Sequence, residues 1–206
     1  MRILVDMDEI VVNLLDEWIR IYNREWDDNL MVDDIDAWDT HKFVKPACGK
    51  QIYQILKRPG LFDYLPPHAG AIDAITTLVA AGHDVRFATA PPSADSCRGK
   101  IEWVKRHFAH LDFGMSQVLM LHDKNWLAPS VDVLVDDKPK TIVEWREYAD
   151  RADNAGYHSP RIMTIAHPYN KPVLDKAHVV GYDANDTQRA WETIVEAINK
   201  LAEERD

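Results

Sequence analysis

Two aspartates, Asp6 and Asp8, stand one residue apart directly after the apolar run Ile3-Leu4-Val5. Alternation along an extended chain points both side chains the same way, so two carboxylates meet at one point, which is costly unless a cation or a shared proton relieves it. A polar turn after a strand would show the same residues. A second acidic pair separates the two readings. Asp136-Asp137 follow the strand-like Val131-Asp132-Val133-Leu134-Val135, and Lys138-Pro139 then suits the first turn of a helix. Three or four carboxylates gathered at one sheet edge make an all-oxygen site of the kind Mg²⁺ prefers, and a divalent ion would offset their repulsion.

Two further residues extend this to a phosphate site. Thr89 ends the strand candidate Asp84–Ala88 and precedes Ala90-Pro91-Pro92-Ser93, where a hydroxyl and nearby backbone N–H groups could meet an oxyanion and Ser93 opens a helix. Lys124, in His122-Asp123-Lys124-Asn125, follows a third strand candidate and would neutralise phosphate charge while balancing the carboxylates. Singly, such a threonine is a turn residue and such a lysine is solvated. Their order and their shared position after strands set them apart.

The elements that must hold these residues alternate. Strands are expected at Ile3–Val5, Asp84–Ala88, Gln117–Leu121, Val131–Val135, Arg161–Ile165 and Ala177–Val180. Helical spacing runs from Leu14 to Trp26, ending near Asp27-Asp28-Asn29, and again over Ala71–Ala81 before the cap residue Gly82. Further helices are expected at Ile101–Phe108, Lys140–Ala152 and along the stripe Trp191, Ile194, Val195, Ile198 and Leu201, with Asn185, Asp186 or Thr187 available as its cap. Such alternation implies an α/β fold with a Rossmann-like parallel sheet and helices on both faces. From about Leu30 to Pro67 the chain is rich in Asp, Trp and Pro, with one plausible helix near Lys50–Lys57, and reads as an insertion.

Composition bounds the partner. The chain has 206 residues, 46% of them apolar, enough for one domain with a full core. Its 34 acidic and 24 basic residues give a formal charge of −10, which argues against tracking a nucleic-acid backbone. Cys48 and Cys97 show no CxxC spacing, so neither a disulfide framework nor a zinc site is suggested. With no signal-peptide pattern and no long apolar run, a cytoplasmic protein without membrane association is expected.

Taken in order, Asp6-Met7-Asp8, Thr89, Lys124 and Asp136-Asp137 resemble the four motifs of the haloacid dehalogenase superfamily of aspartate-dependent phosphohydrolases. The resemblance covers Met1 to about Tyr148. Within the superfamily the chain is most similar to the 5'(3')-deoxyribonucleotidases, through Val5-Asp6-Met7-Asp8, Phe62-Asp63-Tyr64-Leu65-Pro66 before the Gly70-Ala71 helix, and Asp123-Lys124 ahead of Asp136-Asp137-Lys138-Pro139. It implies a single domain over residues 1–206 whose insertion, at about 16–67 after the first strand and helix, is a small helical cap. Two residues depart from the pattern. Glu9 stands where the family usually has glycine, where its side chain could crowd the turn or bring another carboxylate to the metal, and Ala90 replaces a common serine, removing one phosphate hydrogen bond.

The resemblance implies a mechanism. Asp6 is the nucleophile that forms an aspartyl-phosphate, and Asp8 is the general acid for the leaving oxygen and then the base for water. Mg²⁺ is held by Asp6, the Asp8 carbonyl and Asp137, with Asp136 a direct or outer partner, while Thr89, the Ala90 position and Lys124 hold phosphoryl oxygens. The expected partner is a small phosphomonoester, a (deoxy)nucleoside monophosphate, and a homodimer is compatible with the chain. Trp38, Phe43, Tyr53, Phe62 and Tyr64 fall in or beside the insertion. A core for the cap accounts for most of them, and Trp38 and Phe43 are the pair assigned to the base, with His41 beside them. A sugar-phosphate phosphatase with the same core is the rival reading. A catalytically silent binding protein is the alternative from another class. A phosphorylation-receiver domain would carry its acidic pair and acceptor in a different order.

Overall fold

The computed structural model describes residues 1–181 and 186–205. Six parallel strands form one open sheet: β1 (Arg2–Val5), β2 (Asp84–Thr89), β3 (Val118–Met120), β4 (Val133–Val135), β5 (Arg161–Ile165) and β6 (Val179–Gly181). Their order is β3-β2-β1-β4-β5-β6, so β1 is central, with Ile3 paired to Val85 on one side and to Val133 on the other. The connections carry α1 (Leu15–Trp26), the short α2 (Ile52–Ile55), α3 (Ala71–Ala80), α4 (Ala94–His107), α5 (Pro139–Ala155) and α6 (Thr187–Glu203). This is the doubly covered parallel sheet that the alternation implied.

The period-two pattern of the strands divides the core between two faces. Ile3, Val5, Val133, Val135, Met163 and Ile165 point to one face with residues of α3, α4 and α6, whereas Leu4, Leu134 and Ile162 meet Ile142 and Trp145 of α5 on the other. Several expected ends shift. β3 and β4 are shorter than the apolar runs that contain them, β6 starts two residues later and ends one later, and α4 starts seven residues earlier than expected, where Ser93 accepts the Ser96 N–H and caps it. Gly82 follows α3 with φ +85°, the left-handed stop that its position suggested. Asp186 caps α6 by accepting the Arg189 N–H at 3.1 Å, while Asn185 lies outside the described residues. At Gly181 a Cβ would fall 2.8 Å from the Ala190 Cβ, so β6 and α6 meet through glycine because nothing larger fits.

Between β1 and α3 the chain makes α1, single 3₁₀ turns at Val32–Asp34, Thr40–Lys42, Gly49–Gln51 and Leu61–Asp63, and α2. This stretch has its own apolar cluster of Leu15, Trp18, Ile19, Tyr22, Ile35, Val44, Cys48, Ile52 and Ile55, with Tyr169 reaching it from beyond β5. Thus α1 buries its face among these residues and not against the sheet. Among the described residues no helix is long and apolar enough to cross a membrane.

Candidate active site

The strands β1 and β4 end side by side, and that adjacency brings the two acidic pairs together. The Asp6 N–H continues the ladder to the Val135 carbonyl at 2.8 Å, and the Asp136 N–H does so to Met163 at 3.1 Å. One carboxylate oxygen from each of Asp6, Asp136 and Asp137 lies within 4.8 Å of the others. Lys124 is buried among them, its Nζ 2.9 Å from Asp6 Oδ1 and 2.5 Å from Asp136 Oδ2. Burial opposes the lysine charge, but the Asp136 and Asp6 carboxylates outweigh it and hold the ammonium above its ordinary value.

With all three carboxylates ionised, one ammonium would leave two negative charges uncompensated, the charge of a divalent cation. The oxygens are unequally engaged. Asp136 accepts from the Lys138 N–H at 2.9 Å through Oδ1 and from Lys124 through Oδ2, so both its oxygens are used. Asp137 accepts the Tyr169 hydroxyl at 2.5 Å through Oδ2, and its buried Oδ1 has no partner among the described residues. Burial first, then the charges of Asp6 and Asp136, push the Asp137 carboxyl well above the usual carboxylate range. A divalent ion fits this donor set: it satisfies the orphaned oxygen and removes the repulsion.

Asp8 faces elsewhere. Its carboxylate pairs with Lys100 of α4, a lysine whose side chain is 1% exposed and whose ammonium sits 4.5 Å from the centre of the Phe62 ring. Burial raises the Asp8 carboxyl, Lys100 draws it partly back, and the Asp6 charge raises it again, for a net rise. The sequence reading missed Lys100. In the structure Ser96, Gly99, Lys100, Trp103 and Val104 form one buried stripe at helical spacing, but its first half is small and polar and gives no apolar pattern in the sequence.

Thr89 ends β2 as expected and is fully buried, its hydroxyl without a partner among the described residues, while Ala90 after it lines the neighbouring cavity. That cavity, of about 410 Å³, runs from Asp6, Asp8, Lys124 and Asp137 to the apolar residues of the insertion, including Trp18, Trp38 and Tyr53. Trp38 is 46% exposed, meets Tyr169 edge-on at 5.6 Å and carries the Lys138 ammonium 5.7 Å from its ring centre. Phe43 departs from expectation. It packs against the insertion's own apolar cluster and is not among the residues lining the cavity, because the turn at Thr40–Lys42 carries it inward. His41 is held by the Tyr53 hydroxyl at 3.1 Å and also lies outside the lining, and Tyr64 is exposed beneath Arg106.

Glu9 neither crowds its turn nor joins the acidic cluster. It takes φ +57°, the conformation a glycine would have supplied, and its Oε1 accepts the Leu14 and Leu15 N–H groups at 2.8 and 2.6 Å. Burial pushes its carboxyl up, but the neighbouring His68 and His167 and these donors outweigh it, for a net fall. The His68 Nε2 is 3.7 Å from Oε2, a charge contact longer than a hydrogen bond.

An open parallel sheet with paired aspartates after its two central strands, a lysine between them and a threonine after the next strand defines a phosphoric monoester hydrolase of the haloacid dehalogenase superfamily. The comparisons agree at each level. A haloacid-dehalogenase family hydrolase from Deinococcus radiodurans R1, solved with bound phosphate and sodium, shares the fold with a TM-score of 0.51 at 14% identity, covering 94% of this chain and 96% of that one. A 5'(3')-deoxyribonucleotidase of Clostridium acetobutylicum is 30% identical over 69% of this chain and 76% of its own length, and one of Bacillus subtilis is 27% identical over 66% and 74%. The profile of the "5' nucleotidase, deoxy (pyrimidine), cytosolic type C" family matches residues 1–186, and the chain belongs to that family.

Proposed function

We propose that the protein removes phosphate from (deoxy)nucleoside monophosphates with the help of Mg²⁺, through an aspartyl-phosphate on Asp6. The observation that carries this reading is the separation of the two aspartates after β1: Asp6 lies in the acidic cluster with Lys124, and Asp8 lies apart from it with Lys100 and a raised pKa. The first suits a nucleophile, the second an acid. The deoxyribonucleotidase relatives and the aromatic end of the cavity support a nucleotide as substrate.

Asp6 Oδ1 is fixed by the Met7 N–H at 2.8 Å and by Lys124, and its Oδ2 has no protein donor among the described residues. In the first step an Asp6 oxygen bonds to phosphorus as the bond to the nucleoside oxygen breaks, and Asp8 gives that oxygen its proton. In the second, Asp8 takes a proton from water as the water oxygen bonds to phosphorus and Asp6 leaves, releasing inorganic phosphate. Lys124 uses two of its three donors on carboxylates, and the third is free for a phosphoryl oxygen. The residues suited to Mg²⁺ are Asp6, Asp137 through its orphaned oxygen, and the Asp8 carbonyl, with Asp136 acting through Lys124. When bound, the ion neutralises charge on the transferring phosphoryl group.

A screen of nucleoside monophosphates beside sugar phosphates, with and without Mg²⁺, tests this. Preferred, metal-dependent turnover of a nucleoside monophosphate is expected. Preference for a sugar phosphate would move the substrate and leave the chemistry.

A further inference from the structure

The helix α1 begins without a side-chain cap of its own, since Leu14 occupies the cap position. Its first N–H groups would be orphaned in a buried environment, which native helices avoid. Glu9, five residues upstream, satisfies two of them through one carboxylate oxygen. The same residue is bonded in three other directions. Its N–H donates to the Val12 carbonyl at 2.8 Å, its carbonyl accepts from His167 Nε2 at 3.1 Å, and its second carboxylate oxygen faces His68. Val12 in turn pairs with Asp8 and with Pro67, where the chain returns from the insertion.

Glu9 therefore stands at the junction of three parts: the turn that carries Asp8, the first helix of the insertion, and the strand end beyond β5. It holds that place at φ +57°, which glycine adopts freely and glutamate does not. The side chain must compensate for the backbone, and its contacts are all at this junction. What hangs from the junction is part of the cavity's apolar lining, because Leu14 at the cap position and Leu15 and Trp18 of α1 all line it.

We propose that Glu9 is a positioning residue for substrate recognition, fixing α1, and with it the apolar wall formed by Leu14, Leu15 and Trp18, at a set distance from Asp8. Glu9 also borders the cavity, but both donors to its Oε1 are backbone N–H groups at the start of α1, and the role assigned to it acts through that helix. The proposal rests on the phosphomonoesterase reading only for its kinetic arm.

Glu9→Gly removes the tie and relaxes the backbone, so the variant folds and the comparison isolates the side chain. Amide exchange at Leu14 and Leu15 should quicken by about tenfold or more, and KM for a nucleoside monophosphate should rise by about tenfold, while kcat for an aryl phosphate, which needs no wall, stays within about threefold. Glu9→Gln keeps an acceptor for both amides and should restore slow exchange and a KM within about threefold of the parent. Unchanged exchange in Glu9→Gly, or equal kinetic losses on both substrates, overturns the proposal. Failure of the parent enzyme to turn over nucleotides would sink the substrate reading instead, and the exchange measurement would still decide the role of Glu9.

Discussion

Lys100 and Asp8, separated by 92 residues, form a partly buried ion pair that joins α4 to the turn after β1. The lysine is the partial counterweight to a carboxyl that burial already raises. Removing the ammonium in Lys100→Met takes away that counterweight, so Asp8 should hold its proton to higher pH. The alkaline limb of the kcat profile is expected to move up in pH, because the acid form persists further. A limb that stayed in place or moved down would mean that Asp8 is not the acid being titrated.

Asp6 is both the proposed nucleophile and a proposed metal ligand. Asp6→Asn should lower turnover by about a thousandfold or more while the thermal transition stays intact. EDTA should silence the parent in the same way. Near-parental activity of the variant in EDTA would exclude the phosphoaspartate route.

Asp8→Asn tests proton transfer through the leaving group. A nucleoside oxygen is a poor leaving group and needs protonation, whereas an aryl oxide does not, so nucleotide hydrolysis should lose about 10²–10⁴-fold and aryl phosphate far less. Loss of equal size on both would remove Asp8 from the acid role.

Trp38 and Phe43 should separate in a way their sequence neighbourhood did not suggest. Trp38→Ala is expected to raise KM for a nucleoside monophosphate by an amount matching about 1–3 kcal/mol, with aryl phosphate spared. Phe43 packs within the insertion's cluster, so Phe43→Ala should cost about 2 kcal/mol of stability, read as a lowered urea midpoint, with little change in KM for the parent's best substrate. A specific rise in nucleotide KM for Phe43→Ala would return it to the substrate site.

Stability should also depend on His178. Burial, then the charges of Arg161 and Arg146, lower its pKa to about 4, and its Nδ1 accepts the Ile162 N–H at 3.0 Å. A free histidine titrates near 6.5, so between those values the unfolded chain binds a proton that the folded chain refuses. The contribution is full above about pH 6.5 and is lost as pH falls towards 4, amounting to about 1–2 kcal/mol once solvent screening of a partly exposed ring is allowed for. His178→Asn keeps an acceptor without the titration and should flatten the slope of stability against pH. An unchanged slope would assign the effect to other groups.

The parts of the site that could be read directly are those joined to a strand by the chain itself. Asp6, Thr89 and Asp136 each follow a short apolar run, and a run of that kind specifies both the strand and the edge where it ends. Lys100 could not be read this way. The first turns of α4, Ala94 to Gly99, are polar and small, so the apolar pattern starts only at Ile101, and the helix that carries the lysine is fixed by Ser93 at its start. The Asp8–Lys100 pairing is tertiary, and no local pattern announces it. The environment of Phe43 was obscured for the opposite reason: a polar neighbourhood in sequence folds, through single 3₁₀ turns, into an apolar one in space. Glu9 read as a defect in a motif because the residue that explains it, the uncapped start of α1, is visible only as a missing cap.

The helix α6 has a bearing on how the site is assembled. The Trp191 indole N–H on α6 donates to the Ile10 carbonyl at 3.2 Å, across 181 residues, and Ile10 belongs to the same turn as Asp8 and Glu9. The turn that carries Asp6 and Asp8 is thus braced by a helix that lies 181 residues further along the chain at this contact. That turn takes its final shape only once α6 has docked, so the edge of β1 and α6 close as one cooperative unit despite their separation along the chain.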